Sequence, residues 1–243
     1  YDLFGTLRFA RFGQYDPTFR LSKSKVLKAF WLNGVPYIID ARRNESGLMV
    51  TVHGPPTEMI WQAIDEFFGI HRPFNYPTGH DLLETLTGRH PGLHDHVTTN
   101  LAYALIKTVF QQLIEWRDAA TIWRRWVLAE GLQCANFPEL RLPPPYERIA
   151  KTPDTVFQTF GLAIQRAKIV RELGRLGQRI DDWRLMPAAK LRKQLHKISG
   201  ISTWTIEHCL GFGLAKPDAV PTGDFQLPHT VAYALTGKLR SDD

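Results

Sequence analysis

The stretch AAKLRKQLHKISGISTWTIEHCLGFGLAKPDAVPTGDFQL, residues 188–227, decides how this sequence reads. A helix enters after Pro187 and runs over Ala188–Ile198, since proline suits the first turn of a helix and not its interior. Ser199-Gly200-Ile201-Ser202 then interrupts the apolar spacing, and a second helix starts near Thr203-Trp204-Thr205. Two helices joined this tightly form a helix-hairpin-helix. At the start of the second helix, free backbone N–H groups and the helix dipole favour a close anion such as a phosphate oxygen. Gly200 allows the close approach. The generic pattern has proline where Ser199 stands and a second glycine where Ser202 stands, so the turn by itself also fits a bare helical turn.

Upstream, the texture divides the chain. Residues 1–90 read as a small antiparallel-sheet α/β domain: FRLS (19–22), PYIIDARR (36–43) and GLMVTVHG (47–54) are short β-prone runs bounded by Asn, Gly and Pro. Lys23–Trp31 and Thr57–Phe68 read as helices with one buried face. The Pro-, Gly- and His-rich region from His71 to His96 is a boundary. His90, His94 and His96 there lack a nearby Cys or a helical HxxxH partner, and are expected as exposed loop or capping residues rather than metal ligands. From Thr98 strands are expected to disappear, with apolar periodicity over Leu101–Phe110, Leu113–Leu128, Thr155–Leu176 and Ala188–Ile198. The proline-laden FPELRLPPPYERIAKTP (137–153) is expected as loop. The fold class is α+β, a β-rich N-terminal domain (1–90) followed by an all-α domain (91–243).

At 243 residues and 44% hydrophobic, the chain can bury real cores, in one to three subdomains, without disulfides or metal. It starts at Tyr1 and not Met, and is expected to be a trimmed form. No run of about 18 apolar residues suggests a membrane span, and the first residues lack a signal-peptide pattern. Cys134 and Cys209 stand far apart without CxxC spacing, which excludes a four-thiolate zinc or iron–sulfur site and suits a reducing cytosol. The net charge of +6 is concentrated: Arg166–Gly200 holds ten Lys or Arg against Glu172, Asp181 and Asp182, a local +7. That basic stretch fits either a nucleic-acid face or solvated amphipathic helices.

The hairpin, the Pro-rich turn after its second helix and the single Asp224 about twenty residues on resemble the helix-hairpin-helix glycine-proline-aspartate superfamily of DNA glycosylases. Trp204-Thr205 and the run Pro221-Thr222-Gly223-Asp224-Phe225-Gln226-Leu227 look most like its bacterial 3-methyladenine DNA glycosylase II branch. Phe110-Gln111-Gln112-Leu113 leading into Ala119-Ala120, and Phe160-Gly161-Leu162 leading into Arg166-Ala167, support the same branch. The resemblance covers the helical half closely and residues 1–90 more loosely. It implies hydrolysis of alkylated purines from double-stranded DNA in base excision repair, by a cytoplasmic, nucleoid-associated bacterial monomer with no membrane partner. The chain reaches Asp243 soon after the helix behind Asp224, where the resembled family continues through further helices that close the base pocket; either the chain is a fragment, or the pocket lacks a wall, or it is a shorter relative with reduced selectivity.

Carried over residue by residue, the resemblance makes Asp224 the catalytic carboxylate. It would stabilise the positive charge that develops on deoxyribose as the base departs. By itself Asp224 also fits a helix N-cap. Trp204 stands where bifunctional relatives carry the lysine that attacks the sugar, and Lys197 and Lys216 lie outside that position, so base removal without lyase activity is expected. The Trp204 indole face would attract a cationic alkylated purine, worth about 0.5–2 kcal/mol; a core aromatic is the plainer reading. His208, one turn on, matches an aromatic base-pocket position, or is simply a satisfied, part-buried histidine. Leu113, with Gln112 beside it, would fill the space left by the flipped nucleotide, or Leu113 is a core leucine on a helix. The amides of Gly200 and Ser202 and the Thr203 hydroxyl would hold a phosphate. Main-chain carbonyls of His196, Ile198 and Ile201 would hold a structural Na+ or K+, with no cofactor required for catalysis. A catalytically silent DNA-binding module and a glycosylase for another damaged base remain as alternatives.

Overall fold

The computed structural model describes residues 1–74 and 79–238. Residues 75–78 of the expected boundary region and the last residues, 239–243, lie outside it. Helix α1 (Leu3–Leu7) precedes an antiparallel meander of β1 (Phe19–Leu21), β2 (Lys25–Leu32), β3 (Val35–Asn44) and β4 (Gly47–His53). Then come α2 (Glu58–Phe68), α3 (Asp81–Arg89), α4 (Leu101–Gln111) and α5 (Trp116–Glu130), a hairpin of β5 (Leu132–Cys134) and β6 (Phe137–Leu142), and α6 (Tyr146–Lys151). The chain continues through α7 (Asp154–Thr159), α8 (Ile164–Asp182), α9 (Ala188–Leu195), α10 (Thr203–Leu214) and α11 (Leu227–Thr236). The α+β class follows directly.

Two buried clusters organise these elements. In the first, Phe19, Val26, Phe30 and Ile39 on one face of the sheet pack against Ile60, Ile64, Phe67 and Phe68 of α2. Thr57 caps that helix, its hydroxyl accepting the Ile60 N–H at 3.3 Å. In the second, α4 runs through the middle of the helical part, buried on all sides against α5, α8 and α10. Asp181 of α8 fixes its start, accepting from the Ala102 N–H at 3.0 Å and the Asn100 amide at 3.0 Å. Arg166 fixes its end, donating to the carbonyls of Phe110 at 3.1 Å and Gln112 at 3.0 Å, where the helix dipole favours a cation.

Three expectations are corrected. Lys23–Trp31 is not a helix: Lys25–Leu32 is the central strand β2, paired residue for residue with β3. Its other face, Leu27 and Ala29, is covered by Cys134, Leu140 and Leu142 of the β5–β6 hairpin, so both faces are apolar and the period-2 signal is lost. Strands therefore do not end at Thr98, and the 137–153 segment is strand β6 and helix α6 as well as loop. The expected helix Thr155–Leu176 is two, α7 and α8, broken where Gly161 takes φ 99. The β5–β6 hairpin covers a sheet face that would otherwise lie open, which ties the N-terminal sheet to the helical part. Trp31 Nε1–H donates to the Pro143 carbonyl at 2.8 Å along the same seam, and Arg184 of the helical part pairs with Glu66 of α2.

Candidate active site

The hairpin forms as the spacing implied, between α9 and α10. Gly200 sits at φ 84, and an added Cβ would come 2.4 Å from Ile169 Cδ1 on α8. Glycine is thus required twice, by its backbone angle and by the close approach of α8. Ser202, where the generic pattern has glycine, is the N-cap of α10 in extended conformation, and its hydroxyl accepts the Thr205 N–H at 3.2 Å. Serine fits there because no positive φ is needed. The Ile198 carbonyl accepts the Ile201 N–H at 3.2 Å as the turn closes; a carbonyl has a second lone pair, so this main-chain set remains chemically suited to a monovalent cation.

Asp224 faces the second helix of the hairpin across a cleft of about 810 Å³ that Gln112, Leu113, Gly200, Ser202, Trp204 and His208 also line. Its Oδ2 accepts the indole N–H of Trp204 at 2.9 Å, while Oδ1 accepts the backbone N–H groups of Gln226 at 2.9 Å and Leu227 at 2.8 Å. One carboxylate therefore caps the start of α11 with one oxygen and meets the cleft-lining tryptophan with the other. Burial pushes its carboxyl up, but the bonds from Trp204, Leu227 and Gln226 outweigh that, and its pKa lies below the ordinary carboxylate value. Asp224 is ionised at neutral pH.

Trp204 and His208 meet one turn apart on α10 with ring centroids 5.0 Å apart and planes tilted by 39°, and Phe212 continues the series 4.8 Å beyond His208. Burial pushes His208 down to about 4, so its ring is neutral, a flat polarisable surface rather than a cation.

Leu113 lies beyond the end of α4, not on a helix face. It has φ 60, a left-handed conformation costing roughly 1–2 kcal/mol for a residue with a Cβ. Its side chain is fully exposed, 102% of its reference area, at the rim of the cleft. No packing offsets that strain, and the core-leucine reading is removed. Gln112 is not free beside it: its amide donates to Thr205 Oγ1 at 2.9 Å and to the Gly200 carbonyl at 3.2 Å. Gln112 thus clamps the Leu113 loop to the hairpin. Thr203 is exposed at the first turn of α10, and His196 and Ile201 flank the turn.

The basic stretch is partly neutralised in place. Arg171 pairs with Asp154, Arg175 with Glu172, and Arg192 with Glu207. Lys168, Lys190, Lys193 and Lys197 are exposed. The expected loop histidines differ in fate: His94 Nδ1 lies 2.8 Å from the Gly69 carbonyl, whereas His96 is part-buried against a second cavity. Among the described residues no group of three His, Cys, Asp or Glu is placed to hold a metal, and no helix is long and apolar enough to cross a membrane.

That second cavity, about 790 Å³, shares Gln111, Trp116, His208 and Gln226 with the cleft and reaches inward to the sheet. Beside it lies a polar cluster that sequence reasoning missed. The buried carboxylate of Asp16 accepts from the Phe12 N–H at 2.9 Å, the Thr18 N–H at 3.0 Å and the Trp123 indole at 3.0 Å, and pairs with Lys107 at 3.4 Å. Burial pushes Asp16 up, and Lys107 and Lys28 reverse this, leaving it at about 2. No motif or spacing marks these residues; they meet only because the sheet folds onto α4 and α5.

No protein-family model and no curated protein matches this sequence. Among solved structures, the neighbours are DNA glycosylases. The chain is similar to the 3-methyladenine DNA glycosylase of Archaeoglobus fulgidus, with a TM-score of 0.80 and 19% identity over 97% of this chain and 84% of that one. It is also similar to the 8-oxoguanine glycosylase/lyase of Clostridium acetobutylicum in complex with double-stranded DNA, with a TM-score of 0.72 and 11% identity over 99% and 82% of the two chains. A 3-methyladenine DNA glycosylase of Schizosaccharomyces pombe in complex with abasic DNA aligns at a TM-score of 0.53 and 17% identity, covering 67% and 78%. At these identities the likeness is one of fold.

Proposed function

We propose that this protein is a monofunctional DNA glycosylase that hydrolyses the N-glycosidic bond of alkylated purines in duplex DNA. One observation carries the reading: an ionised carboxylate, Asp224, is joined to Trp204 at 2.9 Å in a cleft whose rim bears a strained, fully exposed Leu113. The fold shared with DNA glycosylases supports it. In this account the Gly200 and Ser202 amides and the Thr203 hydroxyl take a DNA phosphate, a contact that positions without reading sequence. The main-chain carbonyls of His196, Ile198 and Ile201 would hold a monovalent cation, whose charge would favour a phosphate beside the turn. Leu113 enters the stack as the damaged nucleotide swings out, on a loop anchored at Gln112, whose amide donates to Thr205 and whose carbonyl accepts from Arg166.

With the base drawn in past Trp204 and His208, the Asp224 carboxylate faces the sugar. As the C1′–N bond breaks, positive charge grows on the sugar ring, and the fixed anion stabilises it without reorganising. Water adds to C1′ and gives up a proton, and the base leaves with the bonding electron pair, a cationic purine departing as the neutral base with the proton passing to solvent and a neutral purine taking up a proton as it departs. Trp204 offers no amine, so no Schiff base forms and the sugar-phosphate backbone stays intact.

Asp224→Asn separates this reading from a silent DNA-binding module. We expect the variant to lose base release from alkylated duplex by about a thousandfold, the scale of a lost transition-state charge partner, while its DNA affinity stays within about twofold. Gly200→Asp should do the reverse and abolish binding. If base release is absent from the wild type while binding is tight, the module reading replaces the enzyme.

A further inference from the structure

The cavity behind the cleft has an unusual charge. Arg8, Arg11, Lys28 and Lys107 line it, and among the described lining residues there is no Asp or Glu. Lys28, on β2, uses one of its N–H groups on Thr18 Oγ1 at 3.1 Å, and Lys107, on α4, is paired with Asp16 at 3.4 Å. Each amine has donors to spare, and an acceptor inside the cavity is what they lack. Phe30, Phe67, Tyr103, Trp123 and Phe212 supply flat apolar walls, so the space suits a planar heterocycle with one polar edge. Unpaired titratable groups here are driven to neutrality. Burial brings Lys28 down to about 7, and burial with the Lys107 charge brings His96 down to about 4.

We infer that this cavity receives the base, and that Lys28 and Lys107 select neutral purines whose inserted edge carries hydrogen-bond acceptors and disfavour permanently cationic ones. The inference rests on the glycosylase reading above and narrows it. In an etheno adduct of adenine, a neutral alkylated purine, the bridge removes both N–H donors of N6 and the acceptor lone pair of N1, and leaves N6 as an acceptor on the modified edge. A 7-methylguanine nucleotide brings a fixed positive charge into a cavity lined by Arg8, Arg11 and Lys107 with no carboxylate in its described lining, the buried Asp16 beside it being already paired with Lys107. Trp204, which would attract such a cation, stands in the cleft and does not line the inner cavity, so attraction at the mouth is opposed deeper in.

The test is single-turnover release of base from otherwise identical duplexes carrying 1,N6-ethenoadenine or 7-methylguanine. It uses the wild type, Lys28→Met, which removes charge and donors, and Lys28→Gln, which removes the charge and keeps an N–H donor. The wild type is expected to favour ethenoadenine by about tenfold or more, the order of a buried hydrogen-bond discrimination. Lys28→Met should erase the preference, and Lys28→Gln should raise 7-methylguanine release while retaining most ethenoadenine release. Faster release of 7-methylguanine by the wild type, or an equal fall on both duplexes in both variants, would overturn the inference and leave the glycosylase reading standing. Release of neither base, nor of any other alkylated purine, would overturn both.

Discussion

Leu113 shows how a single residue reports its use. A leucine held at φ 60 with its whole side chain in solvent costs the fold energy and returns no burial. Leu113→Gly relieves the left-handed strain, roughly 1–2 kcal/mol, and adds a glycine entropy cost of about 0.5–1 kcal/mol. Denaturant unfolding should therefore find the variant as stable as the wild type or slightly more so, while base release from duplex DNA falls by about tenfold, or ~1.4 kcal/mol. A parallel loss of stability and activity would make Leu113 a structural residue. Asp224 makes a second prediction at this scale. Its pKa is depressed, so the ionised form persists as pH falls through the ordinary carboxylate range, and His208, at about 4, adds no titration near 6.5. The acid limb of base release set by Asp224 should therefore lie below the ordinary carboxylate range, while a change at about 7 belongs to Lys28 and one at about 4 to His208. Trp204→Phe removes one of the bonds that lower the Asp224 pKa, so its acid limb should move upward in pH.

At the scale of elements, the α9–α10 hairpin depends on two further helices. Gly200 of the α9–α10 turn abuts Ile169 of α8, and Gln112 after α4 is tied to Gly200 and Thr205. Gly200→Ala places a Cβ within 2.4 Å of Ile169 at a positive φ, and should cost about 1–3 kcal/mol of stability. Adding Ile169→Ala should recover the steric part and leave the smaller backbone part, read as a shift in denaturant midpoint. Full recovery would mean that the backbone angle is not strained; none would mean that Ile169 is not the obstacle. The same region explains what was legible in the sequence. The starts of α9 and α10 follow local rules for proline and serine and appear at Pro187 and Ser202, whereas α9 ends at Leu195 and not at the expected Ile198. Strand β2 escaped because its two covers, α2 and the β5–β6 hairpin, lie far away in sequence and both are apolar.

In the whole molecule, the cleft was legible and the cavity behind it was not. Asp224, Trp204, His208, Gly200 and Leu113 come from two short segments whose spacing survives as a pattern, and the structure gathers them around one cleft. Gln112 belongs to the same pattern, yet its amide is bonded to the hairpin, a partner no spacing reveals. Asp16, Lys28, His96 and Lys107 come from a loop, a strand, the interdomain segment and a helix, with nothing local to link them. Their meeting is set by the docking of the sheet on the helical core, through Trp31 on Pro143, Asp16 on Trp123 and Arg184 on Glu66. The central claim, that this whole assembly hydrolyses a glycosidic bond and stops there, is tested most directly by strand scission. A duplex carrying one 1,N6-ethenoadenine is incubated with the protein and divided, half into hot alkali and half left untreated. Breaks at the lesion only after alkali, absent with Asp224→Asn, are the predicted result. Breaks without alkali, or alkali-sensitive sites that persist in Asp224→Asn, would contradict it.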